Sequence, residues 1–440
     1  MDITCSNINV IMKTRAIWVS ICVLAMCACS ENNEPQLVPG GEENGGQSQV
    51  DPADELPGVE IQSIPVSETI SFDDEEAAAN TALNAFAFDM LNNVVTEAGK
   101  DAGSDDGNVC ISPLSAELCA ALMAEAMDGT QGEKTAAAIS GASRDVLAGT
   151  CNKLIRYLPS EASGASLELG HSIWYQDRYS VTDAFVDRVH DKYYSEVVPV
   201  SHGASIAEMV NKWCSLKTHG LIDRLLESNQ NCDVLFANAL YFKAEWVSAF
   251  REKSTEQRIF KGRDNRQEVD MMRRSNPEMY AAGERAEAVQ LPFKGELAMT
   301  LLLPAEGLTA DQLASTLSIE EWESLEFDYE HVSLWVPKFE VSQSYDLTGA
   351  LSSLGLPTRF NLAGMGIGIK GDATILQKTC FKLNEKGAEG AAATAGIWAT
   401  SNGNDSKPKY IDVHFDRPFV YVIHSTKTGT ILMSGVVNNI

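Results

Sequence analysis

Asn384-Glu-Lys-Gly-Ala-Glu-Gly-Ala-Ala-Ala-Thr-Ala-Gly-Ile-Trp-Ala-Thr-Ser-Asn-Gly-Asn-Asp-Ser-Lys-Pro-Lys-Tyr410 is the stretch on which the reading of this chain turns. From Gly387 to Gly396 it is nearly all Gly, Ala and Thr, poor material for a stable strand or for core. It lies between two apolar stretches and is too long for a tight turn, and loops of this length inside a compact domain are usually functional. Alternate residues 388, 390, 392, 394 and 396 are Ala, Gly, Ala, Thr and Gly. A strand carrying those on its inward face slips between two existing strands without clashing, with Glu389 pointing outward to water. That is the physical specification of a segment that is loop in one state and central strand in another. A disordered surface insertion is the reading that the segment alone leaves open.

On either side, helical spacing comes early in the chain and strand patterns later. Leu83, Phe86, Met90 and Val94 recur at spacings of helical period, predicting a helix from Glu75. Asp105-Asp106-Gly107-Asn108 reads as a turn. Ser112-Pro113 opens a second helix, a capping residue followed by proline at the first helical position. This helix buries Leu114, Leu118 and Leu122 and is expected to stop near Gly129. Asp233–Phe242 is a nearly continuous apolar run, as in a strand covered on both faces. Ala298–Leu303 and the alternating Val332–Val341 are further strands. Phe419–His424 and Thr430–Val437 form a pair around Lys427-Thr428-Gly429. Helices first and strands later, with no βαβα alternation or internal repeat, predict an α+β body.

Enzyme chemistry is not signalled. There is no HExxH, no P-loop and no GxSxG elbow, and the seven His are scattered without ligand spacing. Of the ten cysteines, the six beyond the leader (110, 119, 151, 214, 232 and 380) show no metal spacing. Cys110, Cys119, Cys232 and Cys380 sit in or beside apolar runs and are expected as buried small hydrophobes. No metal and no cofactor are expected. Gly366-x-Gly368-x-x-Gly371 matches a dinucleotide string but lacks the preceding apolar strand and the following amphipathic helix.

The chain does carry an ordered set of short matches. Asn84-Ala-Phe-Ala-Phe-Asp-Met90 and Asn108-Val-Cys-Ile-Ser-Pro-Leu-Ser115 are followed by Val210-Asn-Lys-Trp213 with Lys217-Thr218. Then come Ala237-Asn-Ala-Leu-Tyr-Phe-Lys243 with Trp246, Leu291-Pro-Phe-Lys294, Pro337-Lys-Phe339, Tyr345-Asp-Leu347 and Asp416-Arg-Pro-Phe419. Asn384-Glu-Lys-Gly387 leads into the alanine run. In this order they resemble the signatures of the serpin family over roughly residues 75–440. The resemblance implies one large α+β domain with N-terminal helices, a large mixed β-sheet and a mobile reactive-centre loop at 385–410.

It also implies a mechanism: suicide inhibition of serine endopeptidases, with cysteine endopeptidases as a further class, by a monomer with no catalytic residues of its own. The protease cleaves the loop, forms an acyl-enzyme and is dragged away as the loop inserts into the main sheet. Glu385 resembles the seventeenth residue before the scissile bond, which places that bond at Ser401-Asn402, with Ala399 and Thr400 as neighbouring candidates. Counting back from Phe415 gives Lys407-Pro408 instead, where proline blocks most serine proteases, so the loop is about six residues longer than typical on its carboxyl side. The hinge-side count is preferred, because the length inserted from the hinge decides whether the ester survives. Small residues there suit an elastase- or subtilisin-like partner. The hinge comprises Glu385, Lys386, Gly387, Ala388, Glu389, Gly390, Ala391, Ala392, Ala393 and Thr394. The sheet-opening region comprises Ser112, Pro113, Asn238, Trp246 and Gln377. Two residues depart from the family: Ala388 stands where Thr or Ser is usual, and Gln377 replaces a His, still expected to reach Ser112 and Asn238. Trp398 has to be accommodated on the inner face of the inserted strand. A non-inhibitory serpin-fold surface lipoprotein, cleaved as a substrate or serving as a binding module, is the alternative.

The amino terminus is an address. Lys13 and Arg15 precede an apolar run from Ala16 to Ala28 broken by Ser20, with Met12 as an alternative start. The run ends in Cys27-Ala28-Cys29-Ser30, resembling a bacterial lipoprotein signal with Cys29 as the lipidated residue of a chain exported across the inner membrane. Periplasmic-facing and cell-surface locations both stay open. Residues 30–74, rich in Pro, Gly and acids, read as a disordered acidic linker between the leader (1–29) and the body (75–440). The chain has 34 basic and 61 acidic residues, a net charge of −27, and fifteen of the acids lie in residues 31–99, where there is no Lys or Arg. Such a balance excludes a nucleic-acid partner, which requires a Lys/Arg surplus.

Overall fold

The computed structural model describes residues 56, 59–98, 107–160, 163–228, 233–357, 359–368, 370–372, 375–388 and 409–440. The longer helices are α1 (Asp74–Ala98), α2 (Pro113–Ala126), α3 (Gly129–Ser140), α4 (Arg144–Tyr157), α5 (Asp183–Tyr193) and α6 (Ile206–Lys217). The strands, in chain order, are β1 (Val109–Ile111), β2 (Ala165–Gln176), β3 (Glu196–Val200), β4 (Val234–Glu245), β5 (Glu256–Lys261), β6 (Arg266–Ala282), β7 (Ala286–Pro292), β8 (Leu297–Pro304) and β9 (Asp328–Pro337). They continue with β10 (Phe339–Asp346), β11 (Arg359–Asn361), β12 (Lys370–Asp372), β13 (Leu376–Asn384), β14 (Gly387–Ala388), β15 (Ile411–His414), β16 (Phe419–Ser425) and β17 (Ile431–Val437).

Local chemistry sets the helix ends. Asp73 and Glu76 cap α1 reciprocally: Glu76 N donates to Asp73 Oδ1 and Asp73 N to Glu76 Oε2, each at 2.9 Å. Ser112 caps α2, accepting from Ser115 N at 3.3 Å, with Pro113 at the first helical position. Every residue of α2 is buried, which its alanine-rich sequence permits. The helix ends at Ala126, before the expected Gly129, because Asp128 caps a new helix that begins at Gly129.

Among the described residues the strands form a nine-stranded sheet in the order β1-β17-β16-β8-β7-β6-β9-β15, with β5 on β6, and a six-stranded sheet in the order β10-β13-β14-β4-β2-β3. The expected single strand Val332–Val341 is in fact two. It breaks at Lys338, whose N–H makes the last bond to β6, donating to Asp270 O, and β9 and β10 lie in different sheets. β4 is apolar on both faces for a reason now visible. Phe236, Phe242 and Ala244 face the main core, while Leu235, Ala237 and Ala239 face a second cluster with Val210 and Trp213 of α6. The carboxyl-terminal pair forms as expected, with Val420 opposite Val436.

The described part of the 30–74 segment lies on the body instead of free in water. Leu56 and Val59 are buried beside Trp213, and Gln62 N donates to Glu196 Oε1 at 3.2 Å. Glu196 also holds Lys217 at 2.8 Å and Trp213 Nε1 at 3.2 Å, so one buried carboxylate gathers three donors.

Candidate functional site: the hinge and the floor beneath it

The hinge enters the six-stranded sheet as a wedge. Gly387 and Ala388 pair antiparallel with Glu245 and Ala244 of β4 on one side and with Asn384 and Leu383 of β13 on the other. Among the described residues β13 and β4 have no direct ladder; these two residues join them. Gly387 has φ of 151°, and a Cβ there would meet the Ala244 carbonyl oxygen at 2.0 Å, so no other residue fits. Ala388 is 1% exposed, its methyl group part of the main core.

Above the wedge, a set of polar contacts holds the hinge. Trp246 N donates to Lys386 O at 2.9 Å, Trp246 Nε1 to Asn384 O at 3.2 Å, and Phe250 N to Glu385 O at 2.9 Å. Trp246 is fixed in turn by stacking on Phe293, centroids 4.3 Å apart. The Glu385 carboxylate accepts from Thr255 Oγ1 at 2.7 Å and pairs with Lys338 at 3.2 Å. Burial raises this carboxyl, but those hydrogen bonds and the Lys338 charge outweigh it and hold the group below the ordinary carboxylate range.

Below the wedge is the floor, a small cavity of about 20 Å³ lined by Ser112, Ser115, Asn238, Leu240 and Gln377 among others. Ser112 N donates to Gln377 Oε1 at 2.9 Å, Gln377 Nε2 to Ser112 O at 2.8 Å, and Ser112 Oγ to Leu432 O at 2.9 Å. Asn238 turns away from this set, its Nδ2 donating to Nδ1 of His171 at 2.7 Å. His171 is fully buried; burial first, then Lys217, pulls its pKa down to about 3.

The expected sheet-opening group therefore divides in two. Ser112, Gln377 and Asn238 line the floor, and Trp246 belongs to the upper contacts around the hinge. Gln377 reaches Ser112 as expected but makes no bond to Asn238. Pro113 only starts α2. Glu389, Gly390, Ala391, Ala392, Ala393, Thr394, Ala399, Thr400, Ser401 and Asn402 lie outside the described residues, as do Cys29, Cys232 and Trp398. Sequence reasoning missed Thr255, Phe250 and His171. Lys338 was visible inside Pro337-Lys-Phe339, but His171 carries no sequence signal beyond being a lone His on a strand. Cys110, Cys119, Cys151 and Cys214 are buried free thiols, and Cys380 is half-buried. Among the described residues no group of His, Cys, Asp and Glu is placed to hold a metal ion, and no helix is long and apolar enough to cross a membrane.

Comparison with known proteins agrees with this geometry. An uncharacterized serpin-like protein of Thermococcus kodakarensis is 28% identical over 380 residues, covering 83% of this chain and 86% of its own. A crystal structure of the thermophilic serpin tengpin in its native state matches with a TM-score of 0.73 at 24% identity, covering 86% of this chain and 98% of that one. Thyroxine-binding globulin in complex with thyroxine matches with a TM-score of 0.70 at 20% identity, covering 82% and 98%. These two structures speak to fold alone. The family model described as serpin (serine protease inhibitor) matches residues 81–440, and the chain belongs to the serpin family.

Proposed function

We propose that the protein is a suicide inhibitor of serine endopeptidases, with the loop after Ala388 as bait and no catalytic role of its own. The observation that carries this reading is the two-residue wedge between β13 and β4. Each step along the loop moves one residue back along both neighbouring strands. Six steps from Ala388 set Thr394 opposite Asn238 and Gln377, and ten set Trp398 opposite Val234. The target's serine hydroxyl adds to the Ser401 carbonyl, the Ser401–Asn402 C–N bond breaks, and Asn402 leaves as a new amino terminus. The ester remains while residues 389–398 zip into the ladder. Ten residues at ~1 kcal/mol net each supply ~10 kcal/mol, comparable with the whole stability of an ordinary protease domain, about 5–15 kcal/mol. Small residues at 399–401 favour elastase- or subtilisin-like targets.

The test is denaturing gel analysis of the full chain mixed with an elastase, a subtilisin and a trypsin. The expected result is a band at the summed mass that survives boiling in detergent, with a released fragment starting at residue 400–402. Cleavage of the loop by all three with protease activity intact, and no rise in melting temperature afterwards, would overturn the reading in favour of a non-inhibitory serpin. We also hold the protein to be a lipoprotein anchored through Cys29, facing the periplasm or the exterior. Labelled fatty acid should enter the wild-type chain and not Cys29→Ser.

A further inference from the structure

Two buried polar atoms in the six-stranded sheet have no hydrogen-bond partner although they belong to bonded residues: Asn238 Oδ1 and His171 Nε2. The residues face each other across β4 and β2 as direct register partners. Asn238 Nδ2 can donate to His171 Nδ1 only when that nitrogen is unprotonated, so the imidazole proton sits on Nε2. Amide orientation and imidazole tautomer are therefore set together in this one bond. With its nitrogen committed to His171, Asn238 has its carbonyl oxygen left unpaired where the residue lines the floor beneath the wedge. Gln377, which lines the same floor, does not satisfy it: its amide is turned to the Ser112 backbone, and Asn238 Oδ1 has no partner.

We infer that His171 is a positioning residue of the inhibitory mechanism, orienting Asn238 so that its Oδ1 stands as the acceptor for a donor on the inserting strand. This rests on the inhibitor reading above. A buried acceptor without a partner burdens the native sheet and is relieved when the loop arrives, so the pair favours the inserted state over the open one. The two sides of the floor thereby have different tasks. Gln377 is tied to the frame at the start of α2, and Asn238 is held open. Burial keeps the imidazole neutral, so the acceptor at Nδ1 is not lost to protonation above strongly acid pH.

The experiment compares the full chain with His171→Leu, His171→Asn and Asn238→Leu. For each it measures the fraction of cleavage events that end in a trapped protease, the rate constant of loop cleavage, and the melting temperatures of native and cleaved forms. His171→Leu and Asn238→Leu should lower the ratio of trapping to hydrolysis about fivefold, the equivalent of one hydrogen bond, with the cleavage rate unchanged. His171→Asn, which places an acceptor oxygen near the position of Nδ1, should restore trapping to within about twofold. A merely structural histidine would lower the native melting temperature in both His171 variants and leave the trapping ratio alone. Wild-type trapping matched by Asn238→Leu and His171→Leu overturns the inference while the inhibitor reading stands. A wild-type chain that traps nothing and gains no melting temperature after cleavage overturns both.

Discussion

Gln377 and Ser112 are joined by a two-way amide clasp: the Ser112 N–H donates to Gln377 Oε1 at 2.9 Å, and Gln377 Nε2 donates back to Ser112 O at 2.8 Å. Ser112 is at the same time the cap of α2 and a hydrogen-bond donor to Leu432 of β17. One residue thus ties strand β13 of the six-stranded sheet to a helix and to the nine-stranded sheet. Any movement that widens the gap between β13 and β4 has to work against this clasp or carry it along.

Gln377→Leu should therefore lower the stability of the native form by about 1–3 kcal/mol, because it leaves the Ser112 N–H buried and unpaired and the Ser112 carbonyl with Ala116 N as its remaining donor. Urea unfolding followed by tryptophan fluorescence gives the number. Gln377→Glu offers an internal check: the carboxylate keeps an acceptor for Ser112 N but faces Ser112 O with no donor, so it should be at least as costly near neutral pH. Equal stability of all three proteins would mean that the clasp does not hold the sheet.

Much of this arrangement was legible in the sequence, and the exceptions share a cause. Ser112-Pro113 announces its cap because capping is a local interaction. The apolar run at 233–242 announces a strand covered on both faces, and β4 packs on both. The small residues of the hinge announce close packing, and Gly387 sits where no Cβ fits. What stayed hidden depends on register between distant strands. Nothing local to His171 says that it faces Asn238, sixty-seven residues away. Nothing near Lys338 says that the chain changes sheets there. Leu56 and Val59 are isolated apolar residues among acids and prolines, and their burial is decided by the surface of α6, which sequence periodicity does not describe.

The buried pair on β6 makes a second prediction. Arg274 Nη2 donates to Glu278 Oε2 at 2.8 Å, both side chains at least nine-tenths buried, and the guanidinium lies 4.5 Å from the centre of the Phe250 ring. Removing one partner strands the other charge in the interior. Arg274→Met and Glu278→Leu should each cost about 3–5 kcal/mol, whereas the double variant should recover most of that loss. A double-mutant cycle in urea reads the coupling directly, and simple additivity would show that the pair is not coupled.

Acid should loosen the hinge through Glu385. Its carboxyl is held below the ordinary range in the folded protein, so its contribution is present above the unfolded value, about 4.3, and is lost as pH falls through the lower folded value. Exchange protection of the Phe250 and Trp246 amides, which donate to Glu385 O and Lys386 O, should drop below about pH 4. In Glu385→Gln, which has no charge to lose, protection should be lower near neutrality and flat through the same interval. Parallel curves for the two proteins would remove Glu385 from the hinge's anchoring.

The parity of the loop gives the sharpest contrast. Ala388 is buried in the core while Gly387 fits against the β4 backbone, so the ladder that continues from them turns even-numbered residues inward and odd-numbered ones outward. Ala392→Arg would place a guanidinium in the core of the inserted state, where an unpaired charge is not tolerated. Ala393→Arg would place the same group on the outer face, where the side chain reaches water. Neither substitution alters residues 399–402 around the proposed bond, so the cleavage rate should not differ. The outcome should: on the proposed mechanism, Ala392→Arg is expected to be cleaved as a substrate, with trapping down at least about tenfold, the effect of as little as 1.4 kcal/mol. Ala393→Arg should trap like the wild type. If the two variants behaved alike, the loop would not be entering the sheet in the register set by Ala388.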